Sequence, residues 1–175
     1  MLIIVSGLPG TGKTTIGKAL AAKRSATYIR VDEIEHTLVH NADTGCDIGP
    51  AGYLVAFAIA SSNLKLGNLV IADSVNPVPE SRQGWRDVAQ KVGVTFLEAE
   101  MICSDEDEHR RRVETRAADI AGFELPSWAA VKAREYVPWT TDRLVVDTAL
   151  LSASDAVDAI EARLNAIIRS SASEL

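Results

Sequence analysis

The sequence predicts an α/β fold in which a parallel sheet is covered by helices on both faces. Apolar strand patterns alternate with helical patterns along the chain, and no hairpin signal joins two strands. A chain of 175 residues is long enough for one buried core and short for two domains. Hydrophobic residues make up 47% and charged residues 24% of the chain, which is ordinary for a globular domain. We therefore expect residues 1–175 to form a single domain.

The first predicted strand, residues 2–6, is followed by a glycine-rich loop with the sequence Gly7-Leu8-Pro9-Gly10-Thr11-Gly12-Lys13-Thr14. This is the phosphate-binding pattern G-x-x-x-x-G-K-T. Helical spacing from Thr15 onward supplies the strand–loop–helix context that the pattern requires. Glycines let backbone N–H groups converge on an anion, and the helix N-terminus adds partial positive charge.

The residues from Gly7 to Thr15 therefore predict a nucleoside triphosphate site. In such a site Lys13 reaches the β- and γ-phosphates, and the Thr14 hydroxyl is a ligand of Mg²⁺. The alternative is a glycine-rich turn that binds nothing. Such a turn would not require a lysine and a threonine at these positions.

The next elements continue the alternation of strands and helices. Residues 26–31 predict a second strand and residues 33–39 a short helix. The stretch 41–50, rich in Asp, Gly and Asn, predicts a loop. An apolar helix is expected over about 51–65. Residues 68–72 then form a third strand, whose nearly continuous apolar character is typical of a strand buried on both faces.

The second half of the chain predicts the same architecture. A helix begins at Pro79 and extends to about residue 92, with Trp85 and Val88 at core spacing. The remaining predicted elements are a strand over 94–102, a helix that starts in the acidic residues 104–107, a short helix over 127–136, a strand over 143–147 and a final amphipathic helix capped near Ser152.

Charge and cysteine content exclude several classes of function. The net charge of −6 disfavours a protein that binds nucleic acid through an extended basic surface. Cys46 and Cys103 are too few for a disulfide framework, and Cys103 is expected to be a small buried hydrophobe. The chain starts without a signal-peptide pattern, and the apolar stretch 53–60 is too short to span a bilayer. We expect a cytoplasmic protein without a membrane partner.

Two aspartates follow predicted strands at the sheet edge where ligands bind in parallel folds. Asp73 follows residues 70–72 and has the form of a Walker-B aspartate, which holds Mg²⁺ directly or through water. Its alternative role is that of a turn aspartate. Asp32 closes the second strand, where it could take the proton from an attacking hydroxyl, or only cap the following helix. We predict Thr14 and Asp73 as metal ligands and Asp32 as the catalytic base.

Basic side chains concentrate between His109 and Arg116 on an otherwise acidic chain. Arg112 and Arg116 are four residues apart, so we expect them on one helix face. Arginines that face the phosphates would neutralise the charge of the transferring group, and we predict both as catalytic. The alternative is a solvated face on which Glu108 pairs with Arg112. His109 is expected at the surface.

Weaker candidates for contact with the phosphoryl acceptor are Tyr53, Asn76, Arg82 and the loop 41–49. Trp128 and Trp139 flank the segment after the arginine-rich helix. We expect them to pack within this segment rather than to stack on a base.

These motifs resemble those of small P-loop kinases, the group that contains gluconate kinase, adenylylsulfate kinase, chloramphenicol phosphotransferase and the kinase domain of polynucleotide kinase. The resemblance covers nearly the whole chain, and residues 7–14 are its most specific part. Asp32 matches the position of the catalytic aspartate in polynucleotide kinase-like members. Residues 70–77 with Arg82 look like the third-strand segment of adenylylsulfate kinases. The pair Arg112 and Arg116 resembles the R-x-x-x-R start of the mobile lid.

The resemblance implies a P-loop NTPase three-layer sandwich with a five-stranded parallel sheet and a helical lid over about residues 110–139. It also implies ATP with Mg²⁺ and transfer of the γ-phosphoryl group to a hydroxyl. We expect a kinase that acts on a small molecule. Two alternatives stay open, a 5′-hydroxyl nucleotide or polynucleotide kinase and a nucleotide-binding ATPase or switch that acts on a protein partner.

Overall fold

The computed structural model describes residues 1–41 and 48–172 and contains a five-stranded parallel sheet. Its strands are β1 (Leu2–Ser6), β2 (Thr27–Arg30), β3 (Val70–Asp73), β4 (Phe96–Ile102) and β5 (Leu144–Asp147). Their spatial order is β2-β3-β1-β4-β5, and every pairing is parallel. All carboxyl ends therefore meet at one edge of the sheet, as the sequence predicts for a ligand-binding edge.

Helices cover both faces of the sheet. They are α1 (Lys13–Arg24), α2 (Val31–Asn41), α3 (Ala51–Lys65), α4 (Pro79–Val92), α5 (Glu106–Thr115), α6 (Trp128–Ala133) and α7 (Ala153–Ala172). In the part of the chain that the structure describes, no helix is long and apolar enough to cross a membrane. The predicted loop 41–49 and Cys46 lie largely or wholly outside the described residues, as does the end of the tail after residue 172.

The core divides into two hydrophobic clusters because successive strand side chains point to opposite faces. Ile3 and Val5 of β1 pack with α1 and α7 on one face. Leu2 and Ile4 pack with α3 and α4 on the other. This arrangement is a three-layer sandwich, and the two-sided burial explains the continuous apolar pattern of the central strands.

The order of the elements is as predicted, and the differences are at their ends. Helix α2 begins at Val31, directly after β2, and not at Glu33. Helix α5 begins at Glu106 because the Asp105 side chain caps it by accepting the backbone N–H of Glu108. Helix α6 ends at Ala133, because Arg134 adopts an extended conformation with ψ of 129°.

Two buried glutamates on β4 were not predicted, since their strand is otherwise apolar. Glu98 accepts hydrogen bonds from Arg86, and Glu100 accepts one from Arg143 at 2.7 Å. A buried carboxylate is stable when a guanidinium compensates its charge. Burial raises the pKa of Glu98, and the nearby Arg86 opposes this shift.

We predict that Trp85→Ala lowers the free energy of unfolding by about 3–5 kcal/mol, since Trp85 is fully buried between α4 and the sheet. Urea denaturation followed by circular dichroism measures this loss. The matched control is Leu66→Ala, because Leu66 is 78% exposed. Its effect should stay within about 0.5 kcal/mol, and equal losses in both variants would contradict the assigned core.

Candidate active site

The phosphate-binding loop lies between β1 and α1, at the carboxyl edge of the sheet. Gly10 and Gly12 have φ values of 85° and 87°, in the left-handed region that favours glycine. A Cβ atom at Gly10 would also lie 2.6 Å from Val113 Cγ2. Helix α1 begins at Lys13 without a side-chain cap, so its first N–H groups are available to an anion.

Lys13 is buried within this loop, where it is 6% exposed. Its Nζ donates to the carbonyl of Leu8 at 3.0 Å. Burial lowers the pKa of the ammonium, while the carboxylates of Asp73 and Asp32 oppose that shift. The hydrogen bond to Leu8 therefore holds the Lys13 side chain against the loop.

Asp73 and Thr14 meet as predicted. The Thr14 hydroxyl donates to Asp73 Oδ2 at 2.7 Å, and the Tyr28 hydroxyl donates to the same oxygen at 2.6 Å. Burial and the Asp73 carboxylate raise the pKa of Tyr28, so its hydroxyl stays a donor. Tyr28 was not predicted, because a tyrosine within a strand carries no motif.

The oxygen set of Thr14 and Asp73 fits Mg²⁺. This ion prefers hard oxygen ligands and usually takes only one or two from the protein, with water and phosphate supplying the others. Among the described residues, no cluster of three or more His, Cys, Asp or Glu side chains could hold a metal by itself. The site therefore suits an ion that arrives with a phosphate ligand.

Asp32 lies in the first turn of α2 and borders a cavity of about 240 Å³. Its side chain is 31% exposed, and Arg30 Nε lies 3.9 Å from Asp32 Oδ2. Since the helix begins at Val31, Asp32 does not occupy the capping position that the alternative interpretation gave it. Its carboxylate is thus open to the cavity.

We call the cavity that Asp32 borders the catalytic cavity. The phosphate-binding loop and residues of the segment 116–126 both line it. Charged lining residues include Lys13, Arg30, Asp32, Arg116 and Arg134. Val75, Phe123 and Leu125 add apolar surface. The cavity therefore combines a carboxylate, several cations and a nonpolar face in a space suited to a small ligand.

Arg116 and Arg112 do not share a helix face, so that expectation is wrong. Helix α5 ends at Thr115, and Arg116 is extended with ψ of 142°. Arg116 borders the catalytic cavity, and its Nε is buried without a hydrogen-bond partner among the described residues. Burial lowers the pKa of Arg116, while Asp32 opposes that shift.

Arg112 lies in a second cavity of about 260 Å³ that also borders Gly12 and Thr15. Its guanidinium donates to Glu108 Oε1 at 2.7 Å, to Thr148 Oγ1 at 2.8 Å and to the Thr148 carbonyl at 2.9 Å. We call this space the side cavity. The pair with Glu108 is the one that the alternative interpretation anticipated, but the contacts with Thr148 were not predicted.

Tyr53 and Asn76 belong to a buried network rather than to the cavity lining. The Tyr53 hydroxyl accepts the backbone N–H of Asn76 at 3.1 Å, and burial raises the pKa of Tyr53 to about 12. Asn76 is fully buried with φ of 52°, and its amide donates to Ser6 Oγ at 2.7 Å. Its Oδ1 accepts from Ser74 and from Trp85. Neither residue is among those that line the cavity, so their contact with the acceptor stays a prediction without support from this geometry.

Arg82 is also structural in this arrangement. It is 3% exposed, and it donates to the carbonyls of Asn76 at 2.9 Å and Val137 at 2.6 Å. Its guanidinium also lies 4.1 Å from the ring centre of Trp139. Arg82 therefore ties residues 137–139 to the turn after β3 and does not face the catalytic cavity.

His109 is buried, which contradicts its predicted surface position. Its Nε2 lies 2.8 Å from the Pro9 carbonyl, and its ring contacts Trp128 edge-on at 5.1 Å. Trp128 and Trp139 pack within the protein as predicted. Cys103 is only partly buried, with its Sγ 3.4 Å from the Asp105 carbonyl.

Residues 116–126 are attached to the rest of the site through Asp119. Its carboxylate accepts from Lys18 and from Arg30, each at 2.8 Å. These bonds lower the pKa of Asp119 to about 2. Farther along, the ring of His36 lies 2.9 Å from the Ala121 carbonyl. These contacts attach the segment to α1, to the end of β2 and to α2.

A family model described as AAA domain matches residues 2–137, a range that includes the phosphate-binding loop, Asp32 and Asp73. No curated protein matches the sequence.

Three solved structures illustrate the fold. A gluconokinase from Sinorhizobium meliloti is 17% identical, with a TM-score of 0.67 and coverage of 98% of this chain and 95% of that chain. The APS kinase CysC of Mycobacterium tuberculosis, in complex with AMPPNP and APS, is 19% identical, with a TM-score of 0.58 and coverage of 91% and 96%. Kti12 of Chaetomium thermophilum, in complex with ADP-AlF3, is 22% identical, with a TM-score of 0.60 and coverage of 91% and 97%. The predicted resemblance and fold class are confirmed.

Proposed function

This chain belongs to the AAA domain family, and from that premise we propose that it is an ATP-dependent kinase that transfers the γ-phosphoryl group to a hydroxyl of a small molecule. The observation that carries the proposal is one cavity that joins a phosphate-binding loop to the accessible carboxylate of Asp32. A kinase needs both, because phosphates must be held beside a group that accepts the proton of the attacking hydroxyl.

The phosphates would lie against the N-terminus of α1, with Lys13 at the β- and γ-positions. Thr14 and Asp73 would hold Mg²⁺, which supplies charge neutralisation at the phosphate oxygens when it is bound. Tyr28 keeps the Asp73 carboxylate in place through its 2.6 Å hydrogen bond.

Asp32 would accept the proton as the acceptor oxygen bonds to the γ-phosphorus and the bond to the ADP oxygen breaks. Arg116 has a buried Nε without a partner among the described residues, so it can donate to the transferring group without losing an existing bond. Residues 116–126 would exclude water from this reaction, as a closing segment does in phosphoryl transfer.

The nucleoside would occupy the side cavity. Both cavities border Gly12 and Thr15, so a nucleotide with its phosphates on the loop can extend into the side cavity. There it would meet Arg112, Thr148 and Leu151. We therefore assign Arg112 to nucleoside binding, in place of the predicted role at the γ-phosphate.

The decisive experiment measures ATP consumption with Mg²⁺ against pooled acceptors: sugars, sugar acids, nucleosides, aminoglycosides and a 5′-hydroxyl oligonucleotide. We expect one small-molecule pool to raise turnover at least tenfold above the rate without acceptor. The Lys13→Ala variant should lose at least 99% of that stimulated rate, because its phosphate cation is removed. Stimulation by the oligonucleotide alone would favour a polynucleotide kinase. A basal rate that no pool raises would favour a switch or ATPase.

We predict that Asp32→Asn keeps ATP affinity within about twofold but lowers kcat for the acceptor at least a hundredfold, since the amide cannot accept the proton. Calorimetric titration with a non-hydrolysable ATP analogue and steady-state kinetics separate these two effects. Glu33→Gln is the matched control on the same turn of α2. Unchanged transfer in Asp32→Asn would exclude Asp32 as the base.

We predict that Arg112→Ala raises the dissociation constant of the ATP analogue about tenfold and leaves the KM of the acceptor nearly unchanged. Arg110→Ala is the control, since Arg110 is exposed on the same helix and pairs with Glu114. A rise in the acceptor KM alone would place Arg112 on the acceptor side instead.

A further inference from the structure

We infer that the phosphoryl acceptor carries an anionic group, a carboxylate or a phosphate, and that Arg134 binds this group in the catalytic cavity. The inference rests on the proposed kinase function and extends it to the class of acceptor. Arg134 belongs to none of the motifs in the sequence.

The first observation is that two arginines line the cavity with side chains that make no hydrogen bond or ion pair to any side chain or backbone group that the structure describes. Among residues 1–41 and 48–172, the guanidinium groups of Arg116 and Arg134 make neither a hydrogen bond nor an ion pair with a described residue. The other arginines there each interact with a partner. Both exceptions border the catalytic cavity. Arg116 is partly buried and Arg134 is exposed, and since both line the cavity, both guanidinium groups can contact a ligand there.

The second observation is that Arg134 lies on a firmly held part of the chain. Its own backbone N–H closes α6 by donating to the Val131 carbonyl at 3.3 Å, and Val131 is buried. Three residues later, the N–H of Val137 donates to the Pro77 carbonyl at 2.8 Å. The Arg82 guanidinium donates a hydrogen bond to the Val137 carbonyl. Arg134 is thus fixed on both sides, and Arg82 acts as a positioning residue for this segment.

The third observation places Arg134 on the acceptor side. Arg134 lines the same cavity as Asp32, whereas Arg112 borders the side cavity. Glu35 lies one turn after Asp32 on α2. Burial and the Asp32 carboxylate raise the pKa of Glu35, and the nearby Arg134 opposes that shift.

A guanidinium recognises carboxylate and phosphate through paired hydrogen bonds, which a neutral hydroxyl does not match in strength. The cavity of about 240 Å³ admits only a small compound, and its apolar residues Val75, Phe123 and Leu125 suit a carbon skeleton. The acceptor would place one hydroxyl at Asp32 and its anionic group at Arg134. Arg116 would stay available to the transferring phosphoryl group.

The inference is tested with matched acceptors: sugar acids against the corresponding neutral sugars, and sugar phosphates against the unphosphorylated sugars. We expect at least one anionic member to have a kcat/KM tenfold or more above its neutral partner. The two sets distinguish carboxylate from phosphate. Equal or better transfer to the neutral members overturns the anionic acceptor while leaving the kinase in place. Failure of every acceptor overturns the proposed function as well.

For the preferred acceptor, Arg134→Gln should raise KM at least tenfold, keep the KM of ATP within twofold and leave any neutral acceptor unaffected. Arg134→Lys should recover part of the loss. Lys132→Gln on the same helix is the control, since Lys132 is exposed and pairs with Glu106. Thermal denaturation verifies that the variants fold. A higher KM for ATP with an unchanged acceptor KM would assign Arg134 to the nucleotide and overturn the inference.

Discussion

A single oxygen of Asp73 joins the parts of the candidate active site that the sheet brings together. Asp73 is 2% exposed, and such a buried carboxylate is costly without donors. Thr14 of α1 and Tyr28 of β2 both donate to Asp73 Oδ2. The register of the sheet makes this possible, because Asp73 pairs with Val5 on one side and Arg30 on the other. Strand register and the position of the phosphate-binding loop therefore depend on each other.

The residues after β3 extend this organisation away from the phosphates. Asn76 in its left-handed conformation bonds to Ser6 of β1 and to Trp85 of α4, and its carbonyl accepts from Arg82. Arg82 in turn holds Val137. A continuous set of buried hydrogen bonds thus runs from β1 to residues 137–139. Such fully satisfied networks fix one arrangement of the chain.

The fold and the phosphate site follow from local patterns, because strand hydrophobicity, the glycine loop and the helix caps act over short stretches. Asp73 and Asp32 could be predicted as site residues because they stand at strand ends. Tyr28 and Arg134 could not, since their roles depend on contacts between residues distant in sequence. The same limit explains Asn76, Arg82 and His109. Polar side chains in loops and helices look like surface groups until tertiary packing buries them.

Two segments that contribute residues to the catalytic cavity, 116–126 and the segment that begins at Arg134, are held by different physical interactions. Residues 116–126 are attached partly through the ion pair of Asp119 and Lys18, whose side chains are about half exposed. Residues 134–139 are held by backbone hydrogen bonds and a buried guanidinium. Dissolved salt screens the first kind of contact far more than the second. Rising ionic strength should therefore weaken the attachment of residues 116–126, while residues 134–139 keep their position.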